Sequence, residues 1–150
     1  MCEIFGFSSL KKKNINNELK DFYSHSYSHP DGWGLAVFDG VEANIEKDSE
    51  AAYKSRYLKD RLSVPIETDI ALAHIRYATV GDVAYKNSHP YTKHDRHGRR
   101  WTLIHNGTIF DFPELSAYRG LQTGDTDSER ILLYIIDEMD KEAADKGSPL

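Results

Sequence analysis

The chain has 150 residues, which is enough for one ordinary domain with a hydrophobic core but hardly for two. Its 24 acidic residues outnumber its 19 lysines and arginines, and the net charge of −5 provides no overall positive field for nucleic acid or an anionic membrane. The single cysteine can form no internal disulfide, and the longest apolar run, 131–136, is far too short to span a bilayer. We therefore expect a cytoplasmic protein with no nucleic-acid or membrane partner.

The first third of the chain predicts a strand, a helix and a β-hairpin. Residues 2–9, CEIFGFSS, form a β-rich run that we expect to end before the solvated lysines 11–13. Residues 17–27 predict a helix with Leu19, Phe22 and Tyr23 on one side. The strands 33–39 and 41–47 flank an Asp-Gly turn, as in a hairpin.

The middle of the chain predicts a helix, a buried strand and a long loop. Residues 49–62 look helical, with Ser49 as the cap and Pro65 as the stop. Residues 69–78, DIALAHIRYA, suit a strand that is buried on both faces. Residues 80–100 predict a loop whose arginines are solvated, and a loop of that length is usually functional or disordered.

The last third predicts a strand over 101–107, WTLIHNG, and then the clearest helix of the chain. Thr126 and Glu129 form a capping box, and an apolar face follows at helical spacing. The Gly-Ser-Pro of residues 147–149 predicts the end of this helix. We therefore expect one α+β domain.

Cys2 becomes the N-terminus if Met1 is removed, and cysteine is small enough for methionine aminopeptidase. Most free cysteines are small buried hydrophobes, which is the plainer interpretation. After processing, however, the α-amine has a pKa near 7.7–8.0 and the thiol near 8.5. One residue then carries both a nucleophile and its general base, without a separate histidine.

The remaining chain offers the other parts that such a nucleophile needs. Asn106 and Gly107 follow a predicted strand; they make a turn, and they also offer donors to a tetrahedral oxyanion. Arg76, near the end of an apolar strand, either reaches the surface or holds a carboxylate. Asp127, in the first helical turn, complements the helix dipole or faces an ammonium group. Together these groups describe a site for an amino acid with a reactive side chain.

In these segments the sequence resembles the class II glutamine amidotransferases of the N-terminal-nucleophile (Ntn) hydrolase superfamily. Six matching segments run in family order over positions 2 to 136: MCEIFG, HPDGWGLAVF, HIRYATVG, NSHPY, IHNGTI and GDTDSE. DGWG and GDTDSE are especially similar to the small stand-alone members. Six segments in order are specific, although each one alone is weak.

The resemblance implies a function for each matched residue. Cys2 attacks the γ-carboxamide of glutamine, releases ammonia and forms a γ-glutamyl thioester, which water then cleaves to glutamate. Asn106 and the Gly107 N–H form the oxyanion hole. Arg76 binds the α-carboxylate, Asp127 binds the α-ammonium, and Thr79 lines the same pocket.

The resemblance also implies the fold, a four-layer αββα sandwich with two antiparallel sheets between helix layers. It implies a single glutamine amidotransferase domain over 1–150, without a cofactor. Members run well past 150 residues, so we expect this chain to be an N-terminal portion of a longer domain with one sheet incomplete. Glu3 replaces the glycine of the commonest start, and Val80 stands where synthase-type members often have histidine.

Three alternatives remain open at this point. An enzyme of the same fold could cleave another γ-glutamyl compound, because Arg76 and Asp127 would contact only the α-amino-acid end of the substrate. A non-catalytic module that binds a glutamine-like ligand would keep Met1. The pairs His25-x3-His29 and His94-x2-His97 suggest a metal, but they lack cysteine partners and we predict none. If ammonia is the product, either a synthase on a separate chain accepts it or this protein hydrolyses its substrate alone.

Overall fold

The computed structural model describes residues 1–146, and the side chains of residues 1–144 within them. Four antiparallel strands form the main sheet in the order β1-β4-β2-β3: β1 (Glu3–Asn14), β2 (Trp33–Asp39), β3 (Glu42–Asp48) and β4 (Glu67–Ile75). A two-stranded antiparallel sheet pairs β5 (Tyr91–His94) with β6 (Arg100–Leu103). The helices are α1 (Asn16–Ser24), α2 (Arg56–Arg61) and α3 (Asp127–Lys146), with 3₁₀ turns at His25–Ser28, Tyr85–Asn87 and Pro113–Tyr118. The α+β class is therefore confirmed.

One face of the main sheet packs against α1 and α2. Alternate residues of a strand point to the same face, and here they are apolar on the two central strands. Leu35 of β2 and Ala73 of β4 are fully buried, as is Leu19 of α1. This cluster is the largest core of the described chain, and its buried members are Ile15, Leu19, Phe22, Tyr23, Trp33, Leu35, Ala52, Leu58, Leu62, Ile66, Ala71, Ala73 and Ile75.

The opposite face of the main sheet meets the segment that leads into β5. A Cβ added to Gly34 of β2 would lie 1.8 Å from the backbone oxygen of His89, so only glycine allows this approach. The Nζ of Lys47 on β3 donates to the carbonyls of Ser88 (2.6 Å) and Pro90 (3.1 Å). Helix α3 then covers the small sheet through a second apolar cluster: Tyr91, Leu132 and Ile136, with Trp101 and Leu103.

Strand β1 runs further than the sequence predicted. The expected end before the lysines 11–13 is wrong, because the strand continues to Asn14. After a register irregularity, Lys13 pairs with Thr68 and Asn14 with Glu67. These residues occupy an edge strand whose side chains are exposed, a position where charged residues prevent further strand pairing.

The predicted helix over 49–62 is wrong in its first half. Residues 50–54 form turns, and Ser55 is the N-cap, whose hydroxyl accepts from the N–H of Leu58 at 3.2 Å. Ala51 and Ala52 are buried within the turns. The backbone N–H of Ser55 donates to the carbonyls of Ala51 (3.1 Å) and Ala52 (3.2 Å), and the helix begins after it, at Arg56.

The predicted loop over 80–100 contains structure that the pattern did not indicate. A 3₁₀ turn and the whole of β5 fall inside it. Strand β5 has only four residues, YTKH, which is too short to show an alternating pattern. Arg100 belongs to β6, and Arg99 pairs with Asp95 at 2.6 Å, so these two arginines are not solvated loop residues.

The hairpin, the first helix and the last helix are confirmed. Gly40 takes a φ of +60° in the hairpin turn, and α1 ends in a 3₁₀ turn. The hydroxyl of Thr126 accepts from the Glu129 N–H at 3.3 Å, which is one half of the predicted capping box. The predicted stop at 147–149 lies outside the described residues. No helix within 1–146 is both long and apolar enough to cross a bilayer.

Candidate functional site

A small cavity forms where the N-terminus meets the ends of β4 and β6 and the start of α3. It encloses about 20 Å³, which is room for one water molecule but not for an amino acid. Five of the six site residues predicted from the sequence line it, and the exposed Asn106 does not. The lining consists of Cys2, Arg76, Tyr77, Thr79, Val80, His89, His105, Gly107, Thr126, Asp127 and Ser128.

Cys2 lies beside the end of β4 because Glu3 pairs with Ile75 in the antiparallel register. The backbone N–H of Tyr77 donates to the Cys2 sulfur at 3.4 Å, and the thiol lies 3.5 Å from the Tyr77 carbonyl. The thiol is half-buried, and Met1 before it is 82% exposed. Met1 is therefore accessible to an aminopeptidase, and the sulfur is held at the rim of the cavity.

Arg76 is buried, and its guanidinium holds the loop that follows β4. Nη1 donates to the carbonyl of Asp82 at 2.9 Å, and Nη2 donates to those of Val80 (3.0 Å) and Gly81 (3.1 Å). Three of its five N–H donors are therefore bound to backbone. A ligand carboxylate could use the terminal fork only if these carbonyls moved away.

Two further contacts close the cavity from opposite sides. The hydroxyls of Thr79 and Thr108 are 3.2 Å apart and join the loops after β4 and β6. Asp127 is buried at the start of α3, and its Oδ2 accepts from the Ile109 N–H at 2.8 Å. Each carboxylate oxygen keeps a lone pair for a further donor, such as an ammonium group.

Gly107 ends the turn that the sequence predicted after β6, with a φ of +151°. A Cβ at this position would lie 3.2 Å from Nε2 of His105. His105 is itself fixed, because its Nδ1 lies 3.0 Å from the Ser128 hydroxyl and its carbonyl accepts from Nε2 of His74 at 3.2 Å. The turn that carries the Gly107 N–H is thus supported from two elements.

Two buried histidines lie behind this turn, and the sequence analysis assigned neither of them a role. The rings of His74 and His89 lie 4.1 Å apart. Burial lowers the pKa of His74 to about 4, and burial also lowers that of His89 well below its ordinary value. Both imidazoles are neutral at pH 7. Their presence in the HIRYATVG and NSHPY segments was the available signal, but the pattern could not show that the two rings meet.

The first of the two histidine pairs that suggested a metal lies beside a carboxylate. His25 and His29 contact Glu3, with His25 Nδ1 2.8 Å from Oε2 and His29 Nε2 3.8 Å from Oε1. The described residues include no group of three or more His, Cys, Asp or Glu side chains that could hold a metal ion. Glu3, which stands where the resemblance predicts a glycine, therefore contacts the 3₁₀ turn at His25–Ser28.

A family model described as "Glutamine amidotransferases class-II" matches residues 1–149. The chain belongs to the class II glutamine amidotransferases. Among its relatives is the Escherichia coli K12 protein named "Putative glutamine amidotransferase YafJ", which is 30% identical over 93% of this chain and 55% of that protein. A "Glutamine--fructose-6-phosphate aminotransferase [isomerizing]" of Bacillus spizizenii is 32% identical over 90% of this chain and 22% of that protein.

One solved structure resembles the chain more distantly. It is a "predicted glutamine amidotransferase" from Pseudomonas aeruginosa PA01, with 22% identity and a TM-score of 0.47 over 80% of this chain and 46% of that one. The relatives are longer than this amidotransferase chain. It spans 55% of the Escherichia coli protein and 39% of the Methanocaldococcus jannaschii "Uncharacterized protein MJ1515".

Proposed function

We propose that this chain hydrolyses the γ-amide of glutamine through a γ-glutamyl thioester on Cys2. One observation carries the proposal. Cys2, Arg76, Gly107 and Asp127, which are far apart in sequence, line one cavity of a chain that belongs to the class II glutamine amidotransferases. A nucleophile, a cation, a backbone donor and an anion are the groups that an amino acid with a reactive carboxamide requires.

The reaction begins when loss of Met1 frees the α-amine of Cys2. This amine accepts the thiol proton, and the thiolate attacks the amide carbon of the glutamine side chain. The Gly107 N–H and the Asn106 side chain donate to the oxyanion of the tetrahedral intermediate. The amine returns its proton to the leaving nitrogen, so that ammonia departs and the thioester remains. Water then attacks the thioester, the amine takes its proton and passes it to the sulfur, and glutamate is released.

The α-amino-acid end of glutamine binds at the opposite wall. Arg76 attracts the α-carboxylate, Asp127 accepts from the α-ammonium, and the Thr79 hydroxyl borders the same space. Because the cavity holds only about 20 Å³ and Arg76 is bound to three loop carbonyls, glutamine enters only when the loop 79–82 moves outward. The turn that carries Asn106 is tied to that loop by the Thr79–Thr108 contact, so the same movement displaces it, and the exposed Asn106 side chain then turns inward to the oxyanion.

The layers of the described chain support the four-layer αββα sandwich of the Ntn hydrolases. Helices α1 and α2, the main sheet, the small sheet and α3 follow one another in space. We propose residues 1–150 as the N-terminal portion of such a domain, acting in the cytosol, where the Cys2 thiol stays reduced. The ammonia passes to a synthase, and no cofactor takes part.

The proposal is tested by intact mass before and after incubation with an electrophilic glutamine analogue. We expect loss of one methionine and gain of one adduct at Cys2, together with ammonia release from glutamine. The Cys2→Ser variant serves as the control, and it should gain no adduct. Retention of Met1 with no adduct and no ammonia would contradict the proposal and favour the non-catalytic module. If the chain cleaves other γ-glutamyl amides faster than glutamine, the result would instead favour the alternative, a hydrolase of another γ-glutamyl compound.

A further inference from the structure

His89 presents an unusual combination of burial and missing partners. Its side chain is 4% exposed, and within the described residues neither Nδ1 nor Nε2 has a hydrogen-bond partner. A buried polar group without a partner destabilises the folded protein. Such a group requires an explanation, and a bound ligand is one of the few that fit. His89 belongs to the wall of the cavity that contains Cys2 and Arg76.

Packing holds the His89 ring in place. It packs at a tilt against His74, with 4.1 Å between ring centroids, and in an edge-to-face arrangement against Tyr91, with 4.7 Å between centroids. Its backbone is held by Lys47, which donates to the carbonyls on both sides of it, and by the close approach of Gly34. The ring therefore cannot turn freely to find a partner inside the protein. It is preorganised, and its two nitrogens stay buried without a partner until the cavity opens.

The neutral ring suits one part of the substrate better than the others. A neutral imidazole offers one N–H donor and one acceptor. The substrate ammonium already has an anionic partner in Asp127. The α-carboxylate has about four lone-pair sites on its two oxygens, so it can accept from a further donor even after the loop 79–82 has released the Arg76 fork. A second donor beside Arg76 would complete the recognition of that carboxylate.

We propose that the His89 imidazole donates a hydrogen bond to the α-carboxylate of the bound substrate and so helps to select free α-amino acids. The inference rests on the proposed function, and it adds a specificity-determining residue to it. The ring contributes a donor without adding a second positive charge beside Arg76. His89 takes no part in proton transfer at the reacting amide.

The test compares two substrates, L-glutamine and L-glutaminamide, whose α-carboxylate is replaced by a neutral amide. The variant His89→Phe keeps a planar ring against His74 and Tyr91 but removes both nitrogens. We expect kcat/KM for glutamine to fall about 10–100-fold, mainly through KM, because one hydrogen bond to a charged group is lost. For glutaminamide, followed by formation of isoglutamine, the fall should stay below about threefold. His94→Phe, at the exposed end of β5, is the matched control and should change neither value.

Two further variants keep the test informative if the phenylalanine ring disturbs folding. His89→Asn and His89→Gln place an amide N–H near the positions of Nδ1 and Nε2, respectively. One of them should restore the preference for glutamine over glutaminamide, and its identity tells which nitrogen donates. Equal losses for both substrates in every variant would overturn the inference, since they would show a structural role or a contact with the γ-amide. A wild-type chain that releases ammonia from neither substrate would overturn the proposed function and the inference together.

Discussion

Gly34→Ala is the single methyl addition that should most disturb the site. The added Cβ would lie 1.8 Å from the His89 oxygen, 2.7 Å from the His89 carbonyl carbon and 2.8 Å from Cδ of Pro90. These are backbone and ring atoms, so no flexible side chain can move aside. Ordinary contact begins near 3.4 Å, and the segment must therefore shift by about 1.6 Å. Overpacking of this kind costs about 1–3 kcal/mol, and we expect the upper end.

Gly6→Ala is the matched control for this prediction. Gly6 lies on the same face of the main sheet, and a Cβ there would meet nothing within 4 Å. It should change the free energy of unfolding by less than about 1 kcal/mol. Urea unfolding of both variants measures the difference, which should exceed about 2 kcal/mol.

The same substitution should also affect activity, because it moves His89. A misplacement of about 1 Å in a positioning element can lower the rate about 100-fold, and Gly34→Ala should lose at least that much kcat/KM for glutamine. Equal stability of the two alanine variants would refute the claim that the Ser88–Pro90 segment is seated directly on β2. Equal activity would refute its importance to the site.

Three other predictions concern the supports of the site. Burial lowers the pKa of Lys47 to about 8. The free energy of unfolding of the wild type should therefore rise relative to that of Lys47→Met as the pH increases from about 8 towards 10.5. Guanidinium unfolding across that pH range checks the sign. Tyr91→Phe removes the 2.7 Å contact with the Thr126 hydroxyl at the N-cap of α3 and should cost about 1 kcal/mol in urea unfolding. Glu3→Gln removes the charge of a half-exposed carboxylate that contacts His25 and His29 and should cost less than about 1 kcal/mol, measured in the same way.

The parts of the fold that could be predicted are those whose pattern is both local and long. The hairpin has a turn signal between an apolar run and an alternating run, and α3 has a cap followed by a helical apolar face. The start of α2 could not be predicted, because Ala51 and Ala52 have high helix propensity but are buried in turns by their neighbours. Strand β5 could not be predicted either, since it is short and is defined by its partner β6.

The residues of the candidate site also differ in whether a local sequence pattern could predict them. Cys2, Arg76 and Asp127 were candidates because an N-terminal thiol, a buried cation and a helix-start carboxylate are visible in the sequence. His89 was visible only as part of a motif segment. Its meaning depends on two facts that no local pattern contains: both ring nitrogens lack partners, and Gly34 and Lys47 hold its backbone at the cavity wall.

The position of Cys2 is a consequence of how the core packs. Phe5 and Phe7 of β1 pack against the main core only in the register that pairs Glu3 with Ile75. A slip of one residue would turn both phenylalanines to the other face of the sheet, because side chains alternate along a strand. The same slip would move the Cys2 sulfur away from the Tyr77 N–H that it now accepts from at 3.4 Å. Apolar burial along β1 and β4 therefore fixes the thiol relative to a loop that is distant in sequence. The alignment of the thiol with that loop therefore does not depend on further contacts among the cavity residues.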